Sequence, residues 1–322
     1  MSDNVSMERN FAREVGLFNP PKEVKSAKVK EWVTDMYSTK QVEIDVTYYK
    51  EGQQAVYIPT EFIRMFSNLP AARLALAALT TLWLRDREKG TAANEPIRTT
   101  LGELCRTVGL TPNGPRRMRM REALTVLHYV RYRNLTFFNK EAINRHGKKV
   151  KVEGRQEFMT ILVPELKFFD AVVDGKRQDT TVEVHLCPSL TQALALDVPK
   201  ARVPVAALQA TYGNTQATRA MQNVLFWLSA VTPEKPGQPL HPKIDTLIDE
   251  VMRAEDKKRS KKIKRLEHIL NDLQNTGVIA WWKFDGEHCL IMKKRDQEIL
   301  EKKRKKKELV SGNVQENQTV VH

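Results

Sequence analysis

The sequence predicts an α+β fold, mainly helical, built as two tandem units, and three observations lead there. A short apolar helix, a turn, a cationic helix and strand-like residues follow one another over 101–132, and the same order returns over 244–284. A long helix, apolar almost all round, leads each set: 71–84 in the first and 217–231 in the second. An Asp-Gly pair at 285–286 marks a small antiparallel hairpin after the second cationic helix. Short helix, turn, cationic helix and hairpin is the layout of a winged helix, whose second helix enters the DNA major groove. The expectation is therefore two tandem winged-helix domains with small antiparallel β-hairpins as wings, gripping duplex DNA at two successive sites.

Along the chain, 1–55 reads as an N-terminal arm. Pro20-Pro21 breaks it, a short helix is expected over 22–37, and Val42, Ile44 and Val46 alternate with Glu43 and Asp45 as a strand. Residues 55–59 offer another strand. Domain 1 is drawn over 56–175. Pro70 opens its long helix at a first-turn position, and the apolar surface of Leu74, Leu76, Leu79, Leu82 and Trp83 marks that helix as buried core. Ile97-Arg98-Thr99 is a short strand. Thr100 caps the helix 101–108, whose Leu101, Leu104, Cys105 and Val108 share one face. After Thr111-Pro112-Asn113-Gly114-Pro115 comes the arginine helix, about 115–129, with Met120, Ala123, Leu124 and Leu127 inward. Val130 to Phe138 and Glu157 to Val163 read as a strand pair, with 140–156 as a long basic tip, the wing.

Asp174-Gly175-Lys176 reads as the boundary, so domain 2 is drawn over 176–295. It holds a strand at 181–187 and short helices at 189–196 and 205–210. A long helix capped by Asn214 follows, then a Pro-rich loop at 233–239, a helix at 244–252 and the lysine helix at 256–275. The hairpin 278–284 with 288–293 ends it. Trp83 and Trp227 lie 144 positions apart, and Leu104 with Ile248 and Val108 with Met252 keep the same offset. From 296 to 322 a basic tail is expected to extend a helix and fray into disorder.

Composition narrows the partner. Lys and Arg number 53 against 39 Asp and Glu, a net charge of +14. That surplus favours a polyanion, since each neutralised phosphate releases a counterion. The three cysteines, Cys105, Cys187 and Cys289, are far apart in apolar surroundings and lack zinc-site spacing, which reads as buried thiols in a reducing cytoplasm. No run approaches the length of a membrane span, and Met1-Ser2-Asp3-Asn4 lacks the pattern of a secretion signal.

The clustered charge carries the functional reading. Arg116, Arg117, Arg119 and Arg121 spread over a broad face of the first cationic helix, with only Glu122 as an acidic neighbour. Arginine takes guanine bidentately or clamps phosphate. Lys257, Lys258, Arg259, Lys261, Lys262, Lys264 and Arg265 open the second cationic helix. Its Ile263, Leu266, Ile269, Leu270 and Leu273 form the buried stripe, and Arg259 and Arg265 are the better base readers. Arg145, Lys148, Lys149 and Lys151 on the first wing suit backbone or minor-groove contact. Catalysis finds little support. There is no P-loop, no paired-histidine motif and no expected cofactor or metal. The tyrosine pair Tyr48-Tyr49 is read as structural rather than as a DNA-nicking nucleophile.

Tandem winged helices, each led by a long apolar helix, resemble the plasmid replication initiators that bind iterons. The resemblance covers about 56–294. It rests on 74–87 with 101–132, on 217–228 with 244–284, and on the strand 181–187 followed by Pro188 and a short helix, which is similar to the family's interdomain link. It implies a non-enzymatic protein that binds origin direct repeats in duplex DNA. It further implies homodimers acting as repressors, and recruitment of the host initiator and replicative helicase. The long arm before 55, the long first-wing loop and the lysine tail depart from the pattern. A transcriptional repressor built of the same modules is the rival reading.

Overall fold

A computed structural model describes residues 4–7, 25–34, 39–51, 54–59, 69–129, 131–143, 149–196, 200–212, 215–253, 256 and 258–302. It shows a mixed helix–strand architecture with small antiparallel sheets, divided into two compact units, Met1–Lys200 and Ala201–His322.

In the first unit, α1 (Leu69–Glu88) is the core helix. Ala72, Leu76, Ala77, Leu79 and Leu82 are all buried, as expected of a helix apolar on every side. Strand β1 (Asn4–Met7) lies against α1: the Ser6 N–H donates to Thr81 Oγ1 at 2.7 Å, and the Thr80 hydroxyl donates back to the Ser6 carbonyl. Strand β5 (Ile97–Thr100) runs into α2 (Leu101–Thr107), and Thr100 caps that helix by accepting from Glu103 N at 3.1 Å. Burial pushes the Glu103 carboxyl up. Hydrogen bonds from Arg85 and Thr99, with the charges of Arg85 and Arg106, outweigh burial and hold it below its ordinary value. The cationic helix is α3 (Gly114–Tyr129), which buries Met120, Ala123, Leu124, Val126 and Leu127. Leu79→Ala should therefore lower the unfolding free energy by about 3 kcal/mol, the order expected when a buried leucine leaves a cavity. A denaturant titration reads this directly; a loss under about 1 kcal/mol would mean that the helices close over the gap.

Two sheets flank these helices. The larger has the order β2-β3-β4-β6-β7, from β2 (Lys25–Thr34), β3 (Thr39–Glu51), β4 (Gln54–Pro59), β6 (Arg131–Ile143) and β7 (Lys149–Ile161). The expected helix over 22–37 is thus a strand across 25–34. Ala27, Val29 and Val33 stand at alternate positions there, and such a period of two fits a pleat. The arm is correspondingly part of this sheet through β2 and β3. The expected long wing loop is also corrected: β6 and β7 pair without interruption from Arg131↔Ile161 to Ile143↔Lys149.

The smaller sheet has the order β5-β11-β8, from β8 (Glu165–Phe169) and β11 (Thr181–His185). Glu183 stands opposite both Lys167 and Arg98 in the register, and Arg98 Nε and Lys167 Nζ pair with its carboxylate at 3.1 and 3.2 Å. Val182 and Val184 point into the core. Between β8 and β11 the chain makes the short ladder β9 (Val172–Val173) with β10 (Lys176–Arg177). Asp174 and Gly175, at φ 52° and 72°, turn it. Two successive positive φ values are those of a type I′ turn, for which Asp-Gly is suited. The expected domain boundary near Gly175 is therefore a hairpin tip, and the compact units divide at Lys200/Ala201, beyond α4 (Pro188–Ala195).

The second unit starts with β12 (Ala201–Pro204) and α5 (Val205–Ala210). Its core helix is α6 (Gln216–Ala230), capped by Thr215, whose Oγ1 accepts from Thr218 N at 3.2 Å; the expected cap, Asn214, lies outside the described residues. The expected helix at 244–252 is helical over 244–251 and π-helical over Thr246–Val251, burying Leu247, Ile248 and Val251. The lysine helix α7 spans Arg259–Asn275 rather than starting at 256, and β13 (Ile279–Asp285) pairs with β14 (His288–Lys293) around Asp285-Gly286. Residues 240–243 add a third edge. Leu240 bridges Ile291 and Lys243 bridges His288, with Leu240 N donating to Ile291 O at 2.8 Å. A last helix, α8, covers 294–302; the rest of the expected tail lies outside the described residues.

Candidate nucleic-acid interface

Helix α3 exposes its N-terminal half. Asn113 Oδ1 accepts from Arg116 N at 2.9 Å, and Arg116 Nη1 donates to Thr111 O at 3.0 Å, so the Thr-Pro-Asn-Gly turn is tied to the first helical turn. Met118 is 55% exposed, which is unusual for a large apolar side chain on a cationic face. Arg116 and Arg119 are partly buried beside it.

The other two arginines face acids that the sequence reading missed. Arg117 Nε lies 3.2 Å from Asp179 Oδ1, and Arg121 Nη1 lies 3.1 Å from Asp170 Oδ2. Arg121 also lies over the Phe168 ring at 4.5 Å, a cation–π distance. Glu122 is thus not the only acidic neighbour. Asp170 and Asp179 flank the hairpin tip on its outgoing and returning sides, and each is anchored independently of the arginines. The Thr180 hydroxyl donates to Asp170 Oδ1 at 2.6 Å, and Gly102 N donates to Asp179 Oδ2 at 3.0 Å. Gly102 is required for the second contact: a Cβ there would stand 2.2 Å from the same Asp179 oxygen. The tip itself shows Phe169, Val172 and Val173 at 52–69% exposure, with Lys176 exposed beside them.

Helix α7 repeats this division. Arg259 Nε pairs with Asp245 at 2.9 Å, Lys262 Nζ with Asp249, and Arg265 Nη2 with Asp256 at 3.1 Å. Lys258, Lys261 and Lys264 are exposed, at a spacing of three, and have no acidic partner among the described residues. Lys261, Lys264, Arg265 and His268 border an open groove of about 540 Å³ against Ala217 and Thr218 at the start of α6. Across the hairpin, Trp282 Nε1 donates to Asn271 Oδ1 at 3.1 Å, so this indole is tied to α7; Trp281 and Trp282 are both partly buried.

The remaining candidates are scattered. Arg145, Lys148 and Lys257 lie outside the described residues, and Lys149 and Lys151 stand in β7, two places apart in the ladder. Tyr48 and Tyr49 lie within β3, opposite Tyr57 and Val56. Lys176, His268 and the five aspartates were absent from the expected site. The Asp-Gly pair at 174–175 signals the hairpin turn but does not name Asp170 or Asp179 as arginine partners. Among the described residues, no group of His, Cys, Asp and Glu is placed to hold a metal, and no helix is long and apolar enough to cross a membrane. All three cysteines are buried, and burial pushes the Cys289 thiol up to about 12, far from thiolate reactivity.

No protein-family model and no curated protein matches the sequence. Crystal structures of RctB domains align with it, two of them as follows. Domains 2 and 3 of RctB, as a selenomethionine derivative, are 12% identical, cover 88% of this chain and 98% of their own, and give a TM-score of 0.49. A second structure of RctB domains 2–3 is 9% identical, covers 90% of this chain and 99% of its own, and gives 0.47.

Proposed function

We propose that this chain binds duplex DNA sequence-specifically through two winged helices and serves, without catalysis, as a replication initiator at an origin bearing direct repeats. One observation carries the reading: both units close the same strand order beside a cation-bearing helix. In the first, β5 precedes α2 and α3, and β11 lies between β5 and β8. In the second, 240–243 precede the π-helical turn and α7, and β14 lies between that edge and β13. Helix, edge strand, helix, cationic helix and hairpin, with the last strand in the middle, is the winged-helix arrangement on two scales. The wing of the first unit is then the hairpin 165–185, not 131–161. It stands beside α3 through Phe168 and Asp170.

In this reading α3 and α7 enter major grooves. The N-terminal half of α3, with its arginines beside the exposed Met118, meets base edges or phosphates, and Lys258, Lys261 and Lys264 hold phosphate. The sequence resemblance to iteron-binding initiators supports the step from DNA binding to initiation. With it come a homodimeric repressor form, the host initiator and replicative helicase as partners, and a cytoplasmic site of action.

Selection from a random duplex library, followed by replication tests, examines both levels. The intact chain should enrich one sequence. A plasmid carrying tandem copies of that sequence, with the gene, should then replicate where its own initiator is missing. Enrichment without replication would reduce the protein to a repressor. No enrichment would overturn the DNA-reading assignment itself.

A further inference from the structure

We infer that the aspartates facing the two cationic helices are specificity determinants: they hold the base-reading arginines in place and keep them from phosphate. The inference rests on the DNA-binding reading above. Most cations of the two helices, taken together, fall into two classes. Arg117, Arg121, Arg259, Lys262 and Arg265 each face a carboxylate, from Asp179, Asp170, Asp245, Asp249 and Asp256 respectively. Lys258, Lys261 and Lys264 have none among the described residues. Four of the six arginines on the two helices are in the paired class, and the unpaired lysines are the residues suited to a simple point-charge contact.

Fold stability does not explain the pairs. The Arg121–Asp170 side chains are 33% and 41% exposed, and those of Arg259–Asp245 58% and 65%. Ion pairs so open to water contribute little to folding. Yet Asp170 and Asp179 are fixed by separate hydrogen bonds, from the Thr180 hydroxyl and the Gly102 N–H, so they stay in place whatever the arginines do. A carboxylate fixed beside a helix that approaches a polyanion opposes that approach. The arrangement makes physical sense if the opposition falls unequally on right and wrong DNA.

It does so because each pair uses one edge of the guanidinium. Arg117 meets Asp179 through Nε, and Arg121 meets Asp170 through Nη1. A guanidinium has five N–H donors in a rigid fork. A held arginine can therefore present its other nitrogens to guanine O6 and N7 while it keeps its carboxylate. On random DNA the same arginine gains only by swinging to a phosphate. It must then leave its carboxylate unpaired beside that phosphate, and like-charge juxtaposition penalises the wrong partner.

The test uses the full chain with Asp170→Asn and Asp179→Asn together. Asparagine keeps a side-chain oxygen to accept from Thr180 and Gly102, so the hairpin retains its anchors. Binding is measured to the unselected random duplex library and to the sequence that the wild type enriches. Affinity for the library should rise about 3- to 10-fold. The log–log salt slope there should steepen by about 1–2, as two freed arginines take phosphates. Enrichment in selection should fall. Asp245→Asn with Asp249→Asn tests the second unit independently and should act in the same direction. Unchanged library affinity and enrichment in both variants, or equal losses on both DNAs, would overturn the inference. Failure of the wild type to bind the library or enrich a sequence would instead overturn the functional reading on which it rests.

Discussion

Reversing Lys258, Lys261 and Lys264 to glutamate together should weaken binding of the intact chain to its selected DNA by about 100-fold or more, and shorten the protected stretch at one end only. The three side chains are exposed and lie off the buried stripe of Leu266, Ile269, Leu270 and Leu273, so the helix should survive. None has an acid to satisfy among the described residues, so the substitution acts on the partner. The size follows from linkage of two modules: joining them raises overall affinity by about 10²–10⁴ over either alone, and silencing one forfeits that gain. Quantitative footprinting with a binding titration gives both readouts. A loss under about threefold, with the protected length unchanged, would take α7 off the DNA and leave the second unit a role in dimerisation.

How far this site was legible in the sequence depends on the range of the interactions. Helices α1, α3 and α7 announce themselves locally, through apolar period and charge. The Thr100 cap is equally local, a threonine three residues before Glu103. The segment 140–156 was misread for the opposite reason. Lysines and arginines over 140–156 look like a solvated tip, yet most of that segment is paired in β6 and β7, and a ladder's hydrogen bonds do not depend on side-chain charge. The hairpin that stands beside α3 has a short polar tip at Asp174-Gly175, which in sequence resembles a linker as much as a turn. The arginine partners were beyond reach. Arg121 and Asp170 are 49 positions apart, and nothing local to either names the other. Of the apolar positions at the constant offset of 144, Leu104 and Val108 are buried, and so are Ile248 and Met252, because an apolar face is a local signal.

The strongest response should be to salt. If both cationic helices and one wing meet DNA, on the order of 6–10 phosphates are neutralised, and affinity should fall by about three orders of magnitude or more between 50 and 200 mM salt. The corresponding log–log slope is about −5 to −9. Its decomposition separates the two classes of cation. The triple lysine reversal removes three contacts and should make the slope shallower by about 3. Arg117→Ala with Arg121→Ala should leave the slope on random DNA nearly unchanged, because the aspartates already keep those side chains off phosphate there. On the selected sequence the same pair should cost about 1–3 kcal/mol for each guanine read. A wild-type slope shallower than about −3 would mean that one unit at most engages DNA. A slope that drops equally for the arginine and lysine variants on random DNA would place all five side chains on phosphate, and the aspartates would then have no selective part to play.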